Sequence, residues 1–131
     1  MSESISHEEL LSLQKLVRRV PVADHVFNYC AKLVRSTRPH DPDVPDFIQQ
    51  WVRYGASPRA SLFLILGGKA RAALKGRYHV AVEDIQAVAL PVLRHRMILS
   101  FAGQSEGLTT DDVVEKLLET VPTDKRLYDG K

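Results

Sequence analysis

Cysteine, long apolar runs and a phosphate-cradling loop are what these 131 residues lack. Cys30 is the only cysteine, so no internal disulfide can form and no cysteine-based zinc cluster can be drawn. That usage fits a reducing, cytoplasmic home. The longest apolar stretch, Ala60 to Leu66, is broken by Ser61 and falls far short of the about 20 apolar residues that span a bilayer. The Met-Ser-Glu-Ser start has neither the basic opening nor the apolar centre of a signal peptide, and no membrane partner is expected. A P-loop needs G-x-x-x-x-G-K-[ST] between a strand and a helix. At Gly68-Lys69, Phe63 stands in place of the first glycine and Ala70 in place of the magnesium-binding hydroxyl. The five histidines, His7, His25, His40, His79 and His95, form no i, i+4 pair that could hold zinc on a helix. No catalytic or metal-binding residue is therefore assigned, and Cys30, on an apolar stripe beside Tyr29 and Leu33, is expected to be a buried structural thiol.

What the chain does have is enough apolar content for a core: 44% hydrophobic residues against 26% charged. The net charge of +2 is unevenly spread. Lys15 to Arg77 holds twelve Lys and Arg against four Asp, whereas Gly103 onward holds seven acids against four bases. Mixed solvated charge on helices explains this as readily as a basic face turned to phosphates or to an acidic neighbour.

Helical periodicity dominates. Ser6-His7-Glu8-Glu9 reads as a capping box, followed by a stripe of Leu10, Leu13, Leu16, Val17 and Val20 that Pro21 ends. A second helix begins at Ala23 or Asp24, turns Val26, Phe27, Tyr29, Cys30, Leu33 and Val34 mostly inward, and runs down around Thr37. Pro39, Pro42 and Pro45 make Arg38 to Asp46 a loop. Phe47 to Val52 could be a helical turn or a strand. Ser57 suits an N-cap and Pro58 the first helical position, opening a helix over Ala60 to Leu74 that should be the most buried. Gly67-Gly68 inside it costs about 1 kcal/mol per glycine relative to alanine, tolerable where another helix must come close. Tyr78 to Val82 reads as a short extended link. Glu83-Asp84 opens a helix with Pro91 expected to kink it, Gly103 and Gly107 bracket a loop, and Thr109 caps a last helix before Pro122. The expectation is an all-α bundle of four to five helices with one short extended link, over residues 1–122, and a mobile tail over 123–131.

Four pieces of this sequence, in order, resemble the lid of the MoxR group of AAA+ ATPases. Gly55-Ala56-Ser57-Pro58-Arg59-Ala60 is similar to the group's sensor-2 motif at the start of a lid helix. Val20-Pro21-Val22, Tyr29 and Leu33-Val34-Arg35-Ser36-Thr37-Arg38 resemble its second lid segment. Lys75-Gly76-Arg77 followed by Val80 and Glu83-Asp84-Ile85 resembles its GR-x-x-V-x-x-E-D link, and Leu93-Arg94-His95-Arg96 its L-x-H-R ending. The resemblance spans Ser6 to Pro122. Ala81 stands where the group has a capping threonine and Val82 where it has a proline, which weakens that helix start.

The resemblance implies that Arg59 meets the γ-phosphate of ATP, with Mg2+ held by a P-loop core that this chain lacks. Gly55, allowing a positive φ, together with Ser57 and Pro58 would aim Arg59 without touching ligand. Arg38 and Arg96 match family positions too, with structural roles expected. The chain is then expected to be a fragment, inactive by itself, of a ring-forming homo-oligomer that remodels partner proteins in a chaperone-like way. A guanidinium suits the role on physical grounds, being charged at any cellular pH and able to grip phosphate oxygens with two donors. The competing reading is a histone-fold-like interaction or DNA-binding module, drawn from the Ala60 to Ile85 helix–link–helix pattern. The Ser-Pro-Arg helix start and the acidic end argue against it and against nucleic acid as a partner.

Overall fold

The structure, a computed structural model, describes residues 20–123 together with Glu8 and Leu11. Apart from Glu8, Leu11 and Val20, the expected first helix lies outside the described residues, as does the tail beyond Thr123. Within them the order is α1 (Asp24–Arg35), α2 (Asp46–Trp51), β1 (Val52–Tyr54), α3 (Arg59–Leu74), α4 (Val82–Leu93), β2 (Ile98–Leu99), α5 (Phe101–Ser105) and α6 (Thr110–Thr120). The fold is all-α apart from one two-stranded pairing. Six helices stand among the described residues where four or five were expected.

The centre is the pair α3 and α4, with α1 packed on α3 and α6 on α4. The close approach expected at the double glycine is real. A Cβ on Gly67 would meet Val88 at 3.3 Å, and one on Gly68 would meet Ile85 Cδ1 at 2.8 Å. Alanine's better helix propensity is forgone here so that α4 can seat directly on α3. The core runs through Val26, Tyr29, Leu33, Ile48, Leu64, Ile85, Leu93, Val113 and Leu117, all sealed from solvent. Helix α3, expected to be the most buried helix, is covered on one side only. Ala60, Leu64, Ile65, Gly68 and Ala72 face inward, while Leu62, Phe63, Leu66 and Leu74 stay exposed. Its apolar residues circle the helix, so composition alone did not say which face would be covered.

A second, smaller layer joins α2, the strands and α5. Phe47 to Trp51 is helical, and Val52 then turns extended to pair antiparallel with Leu99, with a bulge before the Tyr54–Ile98 pair. Helix α5 runs through Gly103 to Ser105 and so takes up the first part of the loop expected between Gly103 and Gly107. Ser100 makes it possible: its Oγ accepts the Gly103 N–H at 3.1 Å, a standard N-cap, and donates to the Gln50 carbonyl at 2.6 Å. Lys116 of α6 sits over the Trp51 ring at 4.9 Å and the Phe47 ring at 5.1 Å, holding the two layers together. Pro91 lies inside α4, two residues before its end.

Candidate functional site

Arg59 stands between two sealed alanines, Ala56 three residues before it and Ala60 directly after it. Those small side chains pin the backbone on both sides, and Arg59 itself is exposed. Ser57 was expected to cap this helix and Pro58 to open it; the structure instead has Pro58 at the N-cap and no side-chain cap. Pro58 already has helical angles (φ −56°, ψ −26°), and the Ser57 carbonyl accepts the Ala60 N–H at 3.0 Å, so the first turn forms around them. Among the described residues, no hydrogen bond or ion pair occupies the Arg59 guanidinium. Asp41, Asp43 and Asp46 make no ion pair with it.

The electrostatics of this helix start are unusual for the molecule. A helix N-terminus carries about half a positive charge, and acids in the first turn normally offset it. Helices α1, α2, α4 and α6 follow that rule with Asp24, Asp46, Glu83 and Asp84, and Asp111 and Asp112. Helix α3, like the five-residue α5, has no acid in its first turn, and α3 opens on an arginine. Two positive ends meeting unopposed cost about 0.3–1 kcal/mol until an anion arrives.

The sequence assigned Gly55 a positive φ, and that is corrected by the structure. The left-handed residues among those described are Asp43, Gly76 and Gly107. Gly55 is needed for space: a Cβ there would run into the Thr37 carbonyl oxygen and stand 2.8 Å from the Arg38 Cα. The loop carrying Arg59 therefore lies directly on the end of α1. The two arginines outside the motif have structural partners, as expected. Arg38 donates from Nε to the Ala56 carbonyl at 3.0 Å. Arg96 donates from Nη1 to the Val92 carbonyl at 2.7 Å and stacks over the Phe63 ring at 4.5 Å.

Residues 47–117 match the model of the AAA lid domain. The chain belongs to the AAA lid domain family. Within it, the lid is of the MoxR type. It is 32% identical over 117 residues to the "Chaperone MoxR1" of Mycobacterium tuberculosis, covering 89% of this chain and 31% of that protein. It is 43% identical over 73 residues to the "Protein MoxR" of Paracoccus denitrificans, covering 54% of this chain and 21% of that one. A crystal structure of a provisionally assigned ATPase from Cytophaga hutchinsonii superposes with a TM-score of 0.82 at 31% identity, covering 90% of this chain and 36% of that one. The chain thus spans about a third of the length of the first curated relative. The match favours the lid over a histone-like module.

The Gly-Arg…Glu-Asp link of the lid acquires a physical meaning that the sequence did not disclose. Asp84 is wholly buried, accepting from Arg71 Nη1 at 2.6 Å, from Arg77 Nη2 and from the Ala81 N–H at 2.8 Å. Arg77 also pairs with Glu83 at 3.0 Å. One carboxylate thus ties the end of α3 to the start of α4. Its bond to the Ala81 N–H is one half of a capping box; the other half, which a threonine hydroxyl at 81 would make to the Asp84 N–H, has no side chain to make it. Farther along, Arg94 grips Asp111 with Nε at 2.8 Å and Nη2 at 3.0 Å, and Thr110 donates to the Arg94 carbonyl at 2.9 Å. The hydrogen bond and charge of Arg94 hold the Asp111 carboxyl below its ordinary range. Cys30 is buried as expected, and burial pushes its thiol up to about 12.

Proposed function

We propose that this lid reads the nucleotide on a P-loop core through Arg59 and passes the reading to the rest of the lid as a rigid movement. The observation that carries the proposal is the exposed, internally unpartnered guanidinium at the start of α3, in a first turn without acids. An unneutralised cation held there fits a phosphate oxygen well, because charge-assisted bonds to a guanidinium are about twice as strong as neutral ones. When ATP is bound to the core, it supplies a terminal phosphate for Arg59 to hold, and that attraction weakens once the phosphate has gone. Arg59 orients and stabilises. Gly55, Ser57 and Pro58 aim it. Magnesium would stay with the core, since no first-turn acid accompanies Arg59.

Because α3 is packed along α4 and α4 is ion-paired to both α3 and α6, force applied at Arg59 moves these helices together. The name "Chaperone MoxR1" borne by one relative supports an output in remodelling partner proteins, with the ATPase acting as a ring homo-oligomer in the cytoplasm. The test is ATP turnover by the full-length ATPase. Arg59→Ala should lower it by about tenfold to a hundredfold, the worth of one or two charge-assisted bonds, and leave the far-UV spectrum of the lid unchanged. Unchanged turnover would reduce Arg59 to a surface residue.

A further inference from the structure

Ala56, three residues before Arg59, has both of its backbone polar groups taken by one dipeptide far away in sequence. Its N–H donates to Thr37 Oγ1 at 2.9 Å, and its carbonyl accepts from Arg38 Nε at 3.0 Å. The Thr37 hydroxyl donates in turn to the Val34 carbonyl in the last turn of α1, at 2.6 Å. Thr37 has no solvent exposure at all, and Ala56 only 1%. Gly55 presses on the Thr37 carbonyl from the other side, at a separation no side chain could share. Two hydrogen bonds and one backbone contact therefore lock the loop before Arg59 to the C-terminal end of α1.

Core packing alone does not require this arrangement. A threonine hydroxyl buried between a donor and an acceptor is useful only if both are kept in register, since losing it strands the buried Ala56 N–H, although the Val34 carbonyl still keeps the Thr37 N–H at 3.1 Å. Valine would fill the same space with none of the bonds. Arg38 is half-buried, and its Nε is spent on the carbonyl of the almost wholly buried Ala56. What the pair secures is the direction in which the chain enters α3, and so the direction in which Arg59 leaves it. Misplacement of a functional group by about 1 Å can cost a hundredfold in rate.

We infer that Thr37 and Arg38 are positioning residues for Arg59, forming a clamp that couples the nucleotide-reading loop to helix α1. The inference rests on the reading of Arg59 given above. It makes α1 part of the device that carries the nucleotide state, because the clamp holds that helix and the loop as one body.

The experiment is a double-mutant cycle on ATP turnover in the full-length ATPase, comparing Thr37→Val, Thr37→Ser, Arg59→Ala and the Thr37→Val/Arg59→Ala pair. Thr37→Val should lower kcat by about threefold to tenfold, and Thr37→Ser, which restores the hydroxyl, should recover at least half of the loss. In the Arg59→Ala background Thr37→Val should slow turnover no further. An equal slowing in both backgrounds overturns the inference, because the effect then does not run through Arg59. So does wild-type turnover in Thr37→Val while Arg59→Ala is slow. If Arg59→Ala itself turns over normally, the reading of Arg59 fails first, and the clamp fails with it. Should Thr37→Val not fold, Arg38→Met keeps the side-chain stem and removes the Nε donor, so it carries the same cycle.

Discussion

Replacing Asp84 with asparagine keeps the side chain's size and removes its charge. In the native protein that carboxylate is sealed from water and accepts from Arg71, Arg77 and the Ala81 N–H. An amide retains one acceptor and turns two N–H donors toward guanidinium groups that are themselves only donors. Breaking a fully buried charge pair costs about 3–5 kcal/mol. Arg71 and Arg77 each keep 28% of their side-chain surface exposed, so water recovers part of what they lose. The lower end applies, about 3 kcal/mol. That is a large share of the roughly 5–15 kcal/mol by which a domain is stable. For a chain of this size it corresponds to a fall in Tm of about 10–15 °C. Thermal and urea unfolding followed by far-UV circular dichroism at pH 7 measures it. The m-value should be unchanged if only the native state is affected. A fall under about 3 °C would put the pair on the footing of an exposed surface ion pair and refute the role given to Asp84 as the tie between α3 and α4.

Two other groups give predictions of different kinds. With its thiol pushed up to about 12, Cys30 should alkylate at pH 8 about a thousandfold more slowly in the folded protein than in denaturant, from thiolate fraction alone. Similar rates in both states would contradict its burial. The unfolded thiol ionises before the folded one, so this contribution to stability is present below the ordinary thiol range and fades as pH rises toward 12. Asp111 has the opposite sign: its folded carboxyl ionises more readily than the unfolded one, so the pairing with Arg94 stabilises above the ordinary carboxylate range and is lost on acidification below it. Arg94→Met should return the Asp111 titration, followed by carboxyl NMR, toward 3.8. An unmoved titration would show that Arg94 is not its cause.

The parts of the fold that could be read from the sequence are those in which one local rule acts alone. The apolar stripe of α1, the Pro58 start of α3 and the Thr109 cap of α6 were legible because period and capping chemistry agree there. Phe27 broke from its stripe, and at 47% exposed it faces out. The strands were not legible, because Val52–Tyr54 and Ile98–Leu99 are too short for alternation to show. Helix α5 was hidden behind Gly103, whose low helix propensity is outweighed by the Ser100 cap. At the candidate site, Arg59, Ser57 and Pro58 were visible as a motif. The reason for Gly55 was misread, because crowding against Thr37 depends on a contact 18 residues away in sequence. The Thr37–Arg38 clamp and the Arg71 contact of Asp84 share that character. Nothing local announces a hydrogen bond made across the fold.

The most direct test of Arg59 is the ratio of affinities for a non-hydrolysable ATP analogue and for ADP, measured by calorimetry on the full-length ATPase and its Arg59→Ala variant. If Arg59 holds the terminal phosphate, the variant should lose about tenfold or more of its affinity for the analogue and almost none for ADP, so that the ratio collapses. A ratio that stays the same would mean that this arginine does not distinguish the two nucleotides.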